Sequence, residues 1–214
     1  MQLHIDIETI PNLDDAAIAE IRDSITAPGN YKKPESIAEW MAENRERLVD
    51  EKVYAAGLDG TTGKIICIAW AWENMPVTVT KEDNEAALLC ELFNDIHGKN
   101  LHASATTIGH NVSWDLRYIW QRAVVNGIRP PVWVKWQGKP WDHLDTMLMW
   151  NPDNQRRISL DRLCKVLGVP TSKGELDGAK IWQAYRDGRM AEIRDYCIAD
   201  VEAMRACYRK LTFA

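Results

Sequence analysis

The sequence predicts an α/β protein with a mixed sheet flanked by helices. Two apolar runs, residues 2–8 and Ile65–Trp72, have the length and composition of buried strands. From about residue 80 onward, strand patterns alternate with helical patterns, which is typical of a sheet covered by helices. At 214 residues the chain is long enough for a substantial core, and we expect a single domain over residues 1–214.

The individual elements follow from local signals. After the first strand we expect a helical insertion over about 11–60, in which Asn12 or Asp14 caps the first helix and a break at 27–30 precedes the second. The predicted strands are 2–8, Ile65–Trp72, Pro76–Thr80 and one that ends with Thr106–Gly109. The predicted helices are Asp15–Ser24, Pro34–Val49, one from 80–83 to about His97, Ser113–Asn126, Thr146–Trp150 with Asp145 as its cap, Ser159–Leu167, Gly178–Arg186 and Met190–Leu211.

The composition is that of an ordinary globular protein, with 46% hydrophobic and 27% charged residues. The N-terminus lacks a basic region followed by an apolar run, and no apolar stretch approaches ~20 residues, so neither a secretory signal nor a spanning helix is predicted. The 5 cysteines form no C-x-x-C pair, which indicates free thiols in a reducing compartment. We therefore expect a cytoplasmic protein that does not bind membranes.

Charge is distributed unevenly along the chain, although the formal net charge is only −5. Residues 1–100 carry 9 basic against 19 acidic side chains, whereas residues 101–214 carry 17 against 12. If the ligand is nucleic acid, the C-terminal half would supply the phosphate contacts, but each basic residue alone is more typical of a solvated helix face. These residues include Arg117, Arg122, Arg129, Lys135, Lys139, Arg156, Arg157, Arg162, Lys165, Lys173 and Lys180.

The first strand carries two acidic side chains on one face. Asp6 and Glu8 are two residues apart, and alternate residues of a strand point the same way. Neighbouring carboxylates in a segment otherwise built of Leu and Ile repel each other, and a divalent cation is the simplest compensation. Oxygen ligands favour Mg²⁺ or Mn²⁺ over zinc. On this segment alone, a strand end with two solvated acids is an equally good interpretation.

Two later segments add polar residues in a definite order. Asn111 and Asp115 follow the small, apolar run 103–108 and lead into a helical pattern. Tyr196 and Asp200 are four residues apart in the C-terminal helix and therefore share one helix face. Each pair alone is more often a surface pair or a helix cap than a site, so the prediction depends on the whole set and its order.

Asp6-Ile7-Glu8-Thr9, Asn111-x-x-x-Asp115 and Tyr196-x-x-x-Asp200 resemble the three motifs of the DEDD superfamily of 3′–5′ exonucleases, in the form that carries Tyr in the third motif. The spacing is similar to that of stand-alone exonucleases related to the exonuclease domain of family-B DNA polymerases. The resemblance implies a ribonuclease-H-like fold. It covers residues 1–10 and 62–214, whereas the stretch Pro11–Gly60 departs from it.

The resemblance also implies a mechanism that uses two Mg²⁺ (or Mn²⁺) ions. Asp6 would bridge the two ions, Glu8 and Asp200 would hold the ion that carries the attacking water, and Asp115 would support the second ion. Tyr196 would orient the water, because a phenol with an ordinary pKa of ~10 is a poor base at neutral pH. The implied partner is nucleic acid, most favourably single-stranded or 3′-ended DNA.

Three further residues are candidates for substrate binding. Thr9 would contact the terminal nucleotide, and Asn111 would orient the 3′ end, with local capping or turn geometry as the alternative for both. Trp136 lies in the aromatic and basic loop 130–141, together with Trp133. Such a loop suits stacking on unpaired bases, or packing under the domain.

Other functions remain open from the sequence. An exoribonuclease of the same superfamily would carry the same motifs, because sugar discrimination lies in contacts to the 2′ position. A catalytically silent nucleic-acid-binding module would be expected to lack an acid, and none is missing here. The sequence does not indicate an oligomeric state.

Overall fold

A mixed five-stranded sheet with the strand order β3-β2-β1-β4-β5 organises the structure. Its strands are β1 (Gln2–Pro11), β2 (Gly63–Trp72), β3 (Thr78–Val79), β4 (Thr106–Gly109) and β5 (His143–Asp145). The strands β1, β4 and β5 run parallel, whereas β2 and β3 are antiparallel. This sheet and its helices confirm the predicted α/β class. Strand β5 was not predicted, since three residues are too few for a recognisable pattern.

The computed structural model describes residues 1–98, 106–134, 143–153, 156–171, 174 and 176–214. They form two compact units. The larger unit consists of Met1–Glu8 and Ile65–Ala214, and the smaller unit is Thr9–Lys64, which contains the whole predicted insertion 11–60.

The helices begin and end close to the predicted positions. They are α1 (Asp15–Ser24), α2 (Pro34–Gly57), α3 (Glu85–Gly98), α4 (Val112–Val125), α5 (Thr146–Trp150), α6 (Leu160–Leu167), a 3₁₀ turn (Gly178–Lys180), α7 (Ile181–Arg186) and α8 (Met190–Thr212). No helix in the described part of the chain combines the length and the apolarity that a bilayer crossing requires.

In the smaller unit, α1 packs against α2. The Asp14 side chain caps α1 by accepting the Ala17 N–H at 2.8 Å, which confirms one of the two predicted caps. Helix α2 extends beyond the predicted end at Val49 to Gly57, because Val49 and Val53 continue one buried face.

The core of the larger unit lies between the sheet and helices α3 and α4. Leu3 and Ile5 from β1, Trp70 and Trp72 from β2, and the apolar faces of both helices are buried in one cluster. Trp133 joins this cluster at 3% exposure, with its ring 6.1 Å from that of Phe93. For Trp133, the structure therefore confirms packing, one of the two interpretations that the sequence left open. Residues 135–142 of this loop, including Trp136, lie outside the described residues.

A buried ion pair connects α3 to α4. The Arg122 guanidinium donates to both carboxylate oxygens of Glu85, at 2.9 and 2.7 Å, and the two side chains are only 6% and 11% exposed. Glu85 also accepts the Ile65 N–H at 2.7 Å and an amide N–H of Asn126 at 2.9 Å. Every oxygen of the carboxylate thus has a partner, and the start of β2 is fixed against both helices.

Arg122→Met should lower the free energy of unfolding by about 3 kcal/mol, because it leaves the buried Glu85 carboxylate without its counter-ion. The matched control is Arg47→Met, which breaks an exposed pair with Glu51 (2.6 Å, side chains 56% and 59% exposed) and should cost less than about 1 kcal/mol. Urea unfolding followed by circular dichroism measures both. Equal losses for the two variants would contradict the structural role of the Arg122 pair.

Candidate active site

Strand β1 supplies the first two acids of the site. This strand lies between β2 and β4 in the sheet. Ile5 and Ile7, the apolar residues beside the two acids, are buried. Glu8 is 8% exposed and Asp6 is half-buried. Asp6, Glu8 and Cys197 each offer one potential ligand atom, and these three atoms lie within 4.8 Å of one another. The two carboxylates are therefore brought together, as the strand alternation predicts.

The turn between β4 and α4 positions the second motif. At Gly109 a Cβ atom would lie 2.6 Å from the Cβ of Val112, so only glycine allows this tight turn without displacement. Asn111 takes the left-handed conformation with φ 66°, and its backbone N–H donates to Asp145 Oδ1 at 2.9 Å. The same oxygen accepts the Met147 N–H at 2.9 Å. Asp145 thus caps α5, as predicted, and also holds the turn before α4.

Asp115 lies in the first turn of α4 and contacts β1 directly. Strand β4 pairs with β1 from Gln2 to His4, and the chain then turns away into α4. Beyond that point the Asp115 carboxylate accepts the backbone N–H of Ile7. Asp115 is 5% exposed and lies next to the strand residues Asp6 and Glu8.

Helix α8 supplies the third motif and is fixed at the edge of the sheet by Arg194. This guanidinium donates to the carbonyl oxygens of Thr80 and Lys81 at 3.1 and 3.0 Å, and to the Asp83 carboxylate at 2.8 Å. Two residues further along the helix, the Tyr196 hydroxyl donates a hydrogen bond to Asp200. The predicted sharing of one helix face by these two residues is observed.

Electrostatic repulsion dominates the site. Burial, followed by the charge of Asp200, raises the pKa of Asp6 and of Glu8 well above their ordinary values. Burial also raises the pKa of Asp115 well above its ordinary value, and the neighbouring acids Asp145 and Asp200 add to the shift. Within the described residues, no Lys or Arg forms a salt bridge with Asp6, Glu8 or Asp115. Among the residues that the structure describes, these three acids therefore have no basic partner.

A divalent cation fits this donor set. Asp6, Glu8, Asp115 and Asp200 offer carboxylate oxygens, which Mg²⁺ and Mn²⁺ prefer. The cation would replace the water that burial has removed from the carboxylates and would cancel their mutual repulsion.

Cys197 is the site residue that the sequence analysis missed, because it was grouped with the other buried thiols. Its Sγ lies 3.6 Å from Asp6 Oδ2 and 3.7 Å from the Asp6 backbone oxygen, and the thiol donates to both. Its side chain also hydrogen-bonds with that of Cys67 on β2. A signal was available, since Cys197 and Asp200 are three residues apart on a helix and such residues are neighbours.

The predicted substrate-binding residues have different environments. Thr9 is half-buried on β1 and begins the smaller unit. Asn111 precedes α4 without making a side-chain cap hydrogen bond, and it lines a cavity beside that helix. Trp136 lies outside the described residues.

Two histidines near the motifs have structural environments. His110 contacts Thr146 Oγ1 at 2.9 Å through Nδ1 and the Ile158 carbonyl oxygen at 2.8 Å through Nε2, so both ring nitrogens are engaged. His4 is buried beside the ring of Tyr208 in an edge-to-face arrangement, 5.8 Å between centroids. Burial and the neighbouring Arg205 lower the pKa of His4 to about 4, which keeps it neutral at neutral pH.

The structure resembles the family B DNA polymerase from the hyperthermophilic archaeon Pyrobaculum calidifontis, with a TM-score of 0.56 and 13% sequence identity. The likeness covers 99% of this chain but only 24% of the polymerase chain. A likeness at 13% sequence identity is evidence for the fold alone. It confirms the expected ribonuclease-H-like architecture. No curated protein sequence matches the chain significantly.

The sequence itself matches a family described as a predicted 3′–5′ exonuclease related to the exonuclease domain of PolB, over residues 61–212. This range contains Asp115, Tyr196 and Asp200, whereas Asp6 and Glu8 precede it. Because the match extends over well more than half of the chain, the protein belongs to this family of predicted 3′–5′ exonucleases.

Proposed function

We propose that this protein is a metal-dependent 3′–5′ exonuclease that hydrolyses DNA from a free 3′ end and releases nucleoside monophosphates. One observation carries the proposal. Three elements far apart in sequence bring Asp6, Glu8, Asp115 and Asp200 so close together that their charges interact. Membership of the family indicates the reaction, and the acid cluster offers a chemical means to perform it.

The four carboxylates would hold two Mg²⁺ or Mn²⁺ ions. When bound, these ions would lower the pKa of a water molecule and neutralise the charge that develops on the phosphodiester. In this scheme Asp6, Glu8 and Asp200 would hold the ion that activates the attacking water, and Asp115, together with Asp6, would support the other. The Cys197 thiol, which donates to Asp6, would keep that carboxylate oriented.

Tyr196 would position the attacking water. Its hydroxyl already lies against Asp200, and burial together with the nearby acids raises its pKa above the ordinary value. The phenol therefore stays protonated at neutral pH and acts through hydrogen bonds. Deprotonation of the water would be left to the metal site.

Single-stranded or frayed 3′ ends would be the preferred substrates. Four acids must surround one phosphodiester, and a base pair stacked in a duplex resists entry into such a site. DNA is the proposed substrate, and RNA is the alternative that the test includes.

The decisive experiment compares 3′-labelled and 5′-labelled single strands of DNA and RNA with Mg²⁺, Mn²⁺, Ca²⁺ or excess EDTA. Mg²⁺ and Mn²⁺ should support stepwise release of mononucleotides from the 3′ end, whereas EDTA should abolish it. Ca²⁺ should bind without supporting fast turnover, since it takes more ligands at longer distances. Undiminished hydrolysis in EDTA, or internal cuts in circular single-stranded DNA, would rule out the proposed reaction.

Tyr196→Phe should slow hydrolysis by roughly 10- to 1,000-fold. The upper part of this range is the rate effect of losing one preorganised hydrogen bond. Asp200→Ala should slow hydrolysis more than Tyr196→Phe does, because it removes a proposed metal ligand. Tyr54→Phe, at an exposed tyrosine of α2, is the matched control and should leave the rate unchanged. Single-turnover rates at saturating metal measure the effect, and a wild-type rate for Tyr196→Phe would refute its role in positioning water.

Asp115→Asn should stabilise the metal-free protein, because it removes one of the buried, mutually repelling charges. The amide oxygen can still accept the Ile7 N–H. The melting temperature in EDTA at pH 8 should rise by roughly 2–4 °C for each kcal/mol of repulsion removed. Mg²⁺ should raise the melting temperature of the wild type further, and this additional rise should be smaller for Asp115→Asn. Asp50→Asn, an exposed acid on α2, should change neither value, and an Asp115→Asn protein that melts lower in EDTA would contradict the account.

A further inference from the structure

A cavity of about 240 Å³ opens beside the first turn of α4. Asn111, Ser113, Trp114 and Arg117 line it from the α4 side, and Asp145, Met147, Leu148 and Arg157 complete its wall. All eight residues belong to the larger unit. The volume is below the roughly 300–1,000 Å³ of pockets that enclose whole small molecules, so the cavity suits part of a longer ligand.

Two guanidinium groups distinguish this cavity. Arg117 and Arg157 are both exposed, and neither forms an ion pair or a hydrogen bond with any residue that the structure describes. By contrast, Arg122 pairs with Glu85 and Arg194 pairs with Asp83 in the same unit. Two unpaired cations on one cavity favour an anionic ligand.

The acid in the cavity does not oppose such a ligand strongly. One carboxylate oxygen of Asp145 accepts two backbone N–H groups, from Asn111 and Met147, both at 2.9 Å. This oxygen is therefore turned toward the backbone and its charge is partly compensated. The two arginines leave the cavity with a net positive charge.

The cavity adjoins the acid cluster. Trp114 directly precedes Asp115, and Asn111 is the residue immediately before the helix whose first turn contains Asp115. Asp145, which lines the cavity, is also close enough to Asp115 to raise its pKa. A strand whose terminal phosphodiester reaches the acids would thus have its next nucleotides near the two arginines.

We propose that Arg117 and Arg157 together bind a backbone phosphate of the single strand, close to but distinct from the phosphodiester that is hydrolysed. This inference rests on the proposed function and adds where the strand is held. A guanidinium pair suits a phosphate because each group presents several N–H donors in a planar fork. Phosphates carry no sequence information, so the contact anchors any strand regardless of its bases.

The test measures the affinity of a fluorescein-labelled single strand by anisotropy, in Ca²⁺, for Arg117→Gln, Arg157→Gln and the double variant. Each single change should weaken binding roughly 3- to 10-fold, equally for oligo(dT) and oligo(dA), because only a phosphate contact is lost. In the double variant the slope of log affinity against log salt should fall by about 0.7, as expected for one phosphate of a single strand. Arg129→Gln, at an exposed arginine beyond the far end of α4, is the matched control and should change neither quantity.

A second readout separates this inference from the proposed function. The p-nitrophenyl ester of thymidine 5′-monophosphate offers the acid cluster one phosphodiester but lacks the phosphate that the arginines would hold. Its hydrolysis in Mn²⁺ should stay within about twofold of wild type in the double variant, while KM for the oligonucleotide rises at least 10-fold.

The outcomes are distinct. If the wild type binds strands through the arginines yet hydrolyses nothing, the proposed function fails and the binding site stands. If the double variant binds strands as tightly as Arg129→Gln does, or if the wild type binds no strand, the inference is overturned.

Discussion

Four carboxylates that repel one another where β1 meets α4 and α8 are the constraint on which the larger unit depends. Asp6 and Glu8 lie on β1 among buried Ile residues, and their pKa values are raised because burial disfavours their charges. Such a cluster costs free energy in the absence of a cation. The cluster is kept together because the packing of the surrounding sheet and helices outweighs the repulsion between the carboxylates.

Each element around the cluster is fixed by contacts that lie away from the acids. Arg122 and Glu85 connect α3 and α4 to the start of β2, and Arg194 connects α8 to the segment after β3. Asp145 holds the turn from which α4 begins. Arg122 and Arg194 thus pair beside the site, and in the described part of the chain no Lys or Arg forms a salt bridge with Asp6, Glu8 or Asp115. If the acids hold cations, as proposed, these contacts of the scaffold would remain in place when the cations leave.

The proposed function sets two electrostatic requirements that conflict in one place. Metal binding requires concentrated negative charge, whereas a polynucleotide requires positive charge. The acids gather where β1, α4 and α8 meet, and Arg117 and Arg157 line the cavity beside the first turn of α4. In the proposed function these opposite requirements would be met on adjacent surfaces, because successive side chains of a helix face different directions.

The sequence by itself determined most element boundaries and the α/β class, and its resemblance to known motifs selected the candidate acids. These properties are local: strand alternation places Asp6 beside Glu8, and a four-residue spacing places Tyr196 beside Asp200. The same local signals gave the Asp14 and Asp145 caps. Which distant segments lie close together is not a local property. The sequence indicated it only through the resemblance to known motifs.

Only the tertiary structure decided which side chains meet across elements. The spacing of Cys197 from Asp200 placed it near the third motif, but only the structure shows that its thiol reaches Asp6. Stacking on bases and packing were both open for Trp133, and the structure shows it buried against Phe93. Arg117 and Arg157 are forty residues apart and looked like ordinary solvated cations. Their contact with one cavity depends on how the turn at Gly109 directs α4 toward α5, and no periodicity in the sequence encodes a distance across such a turn.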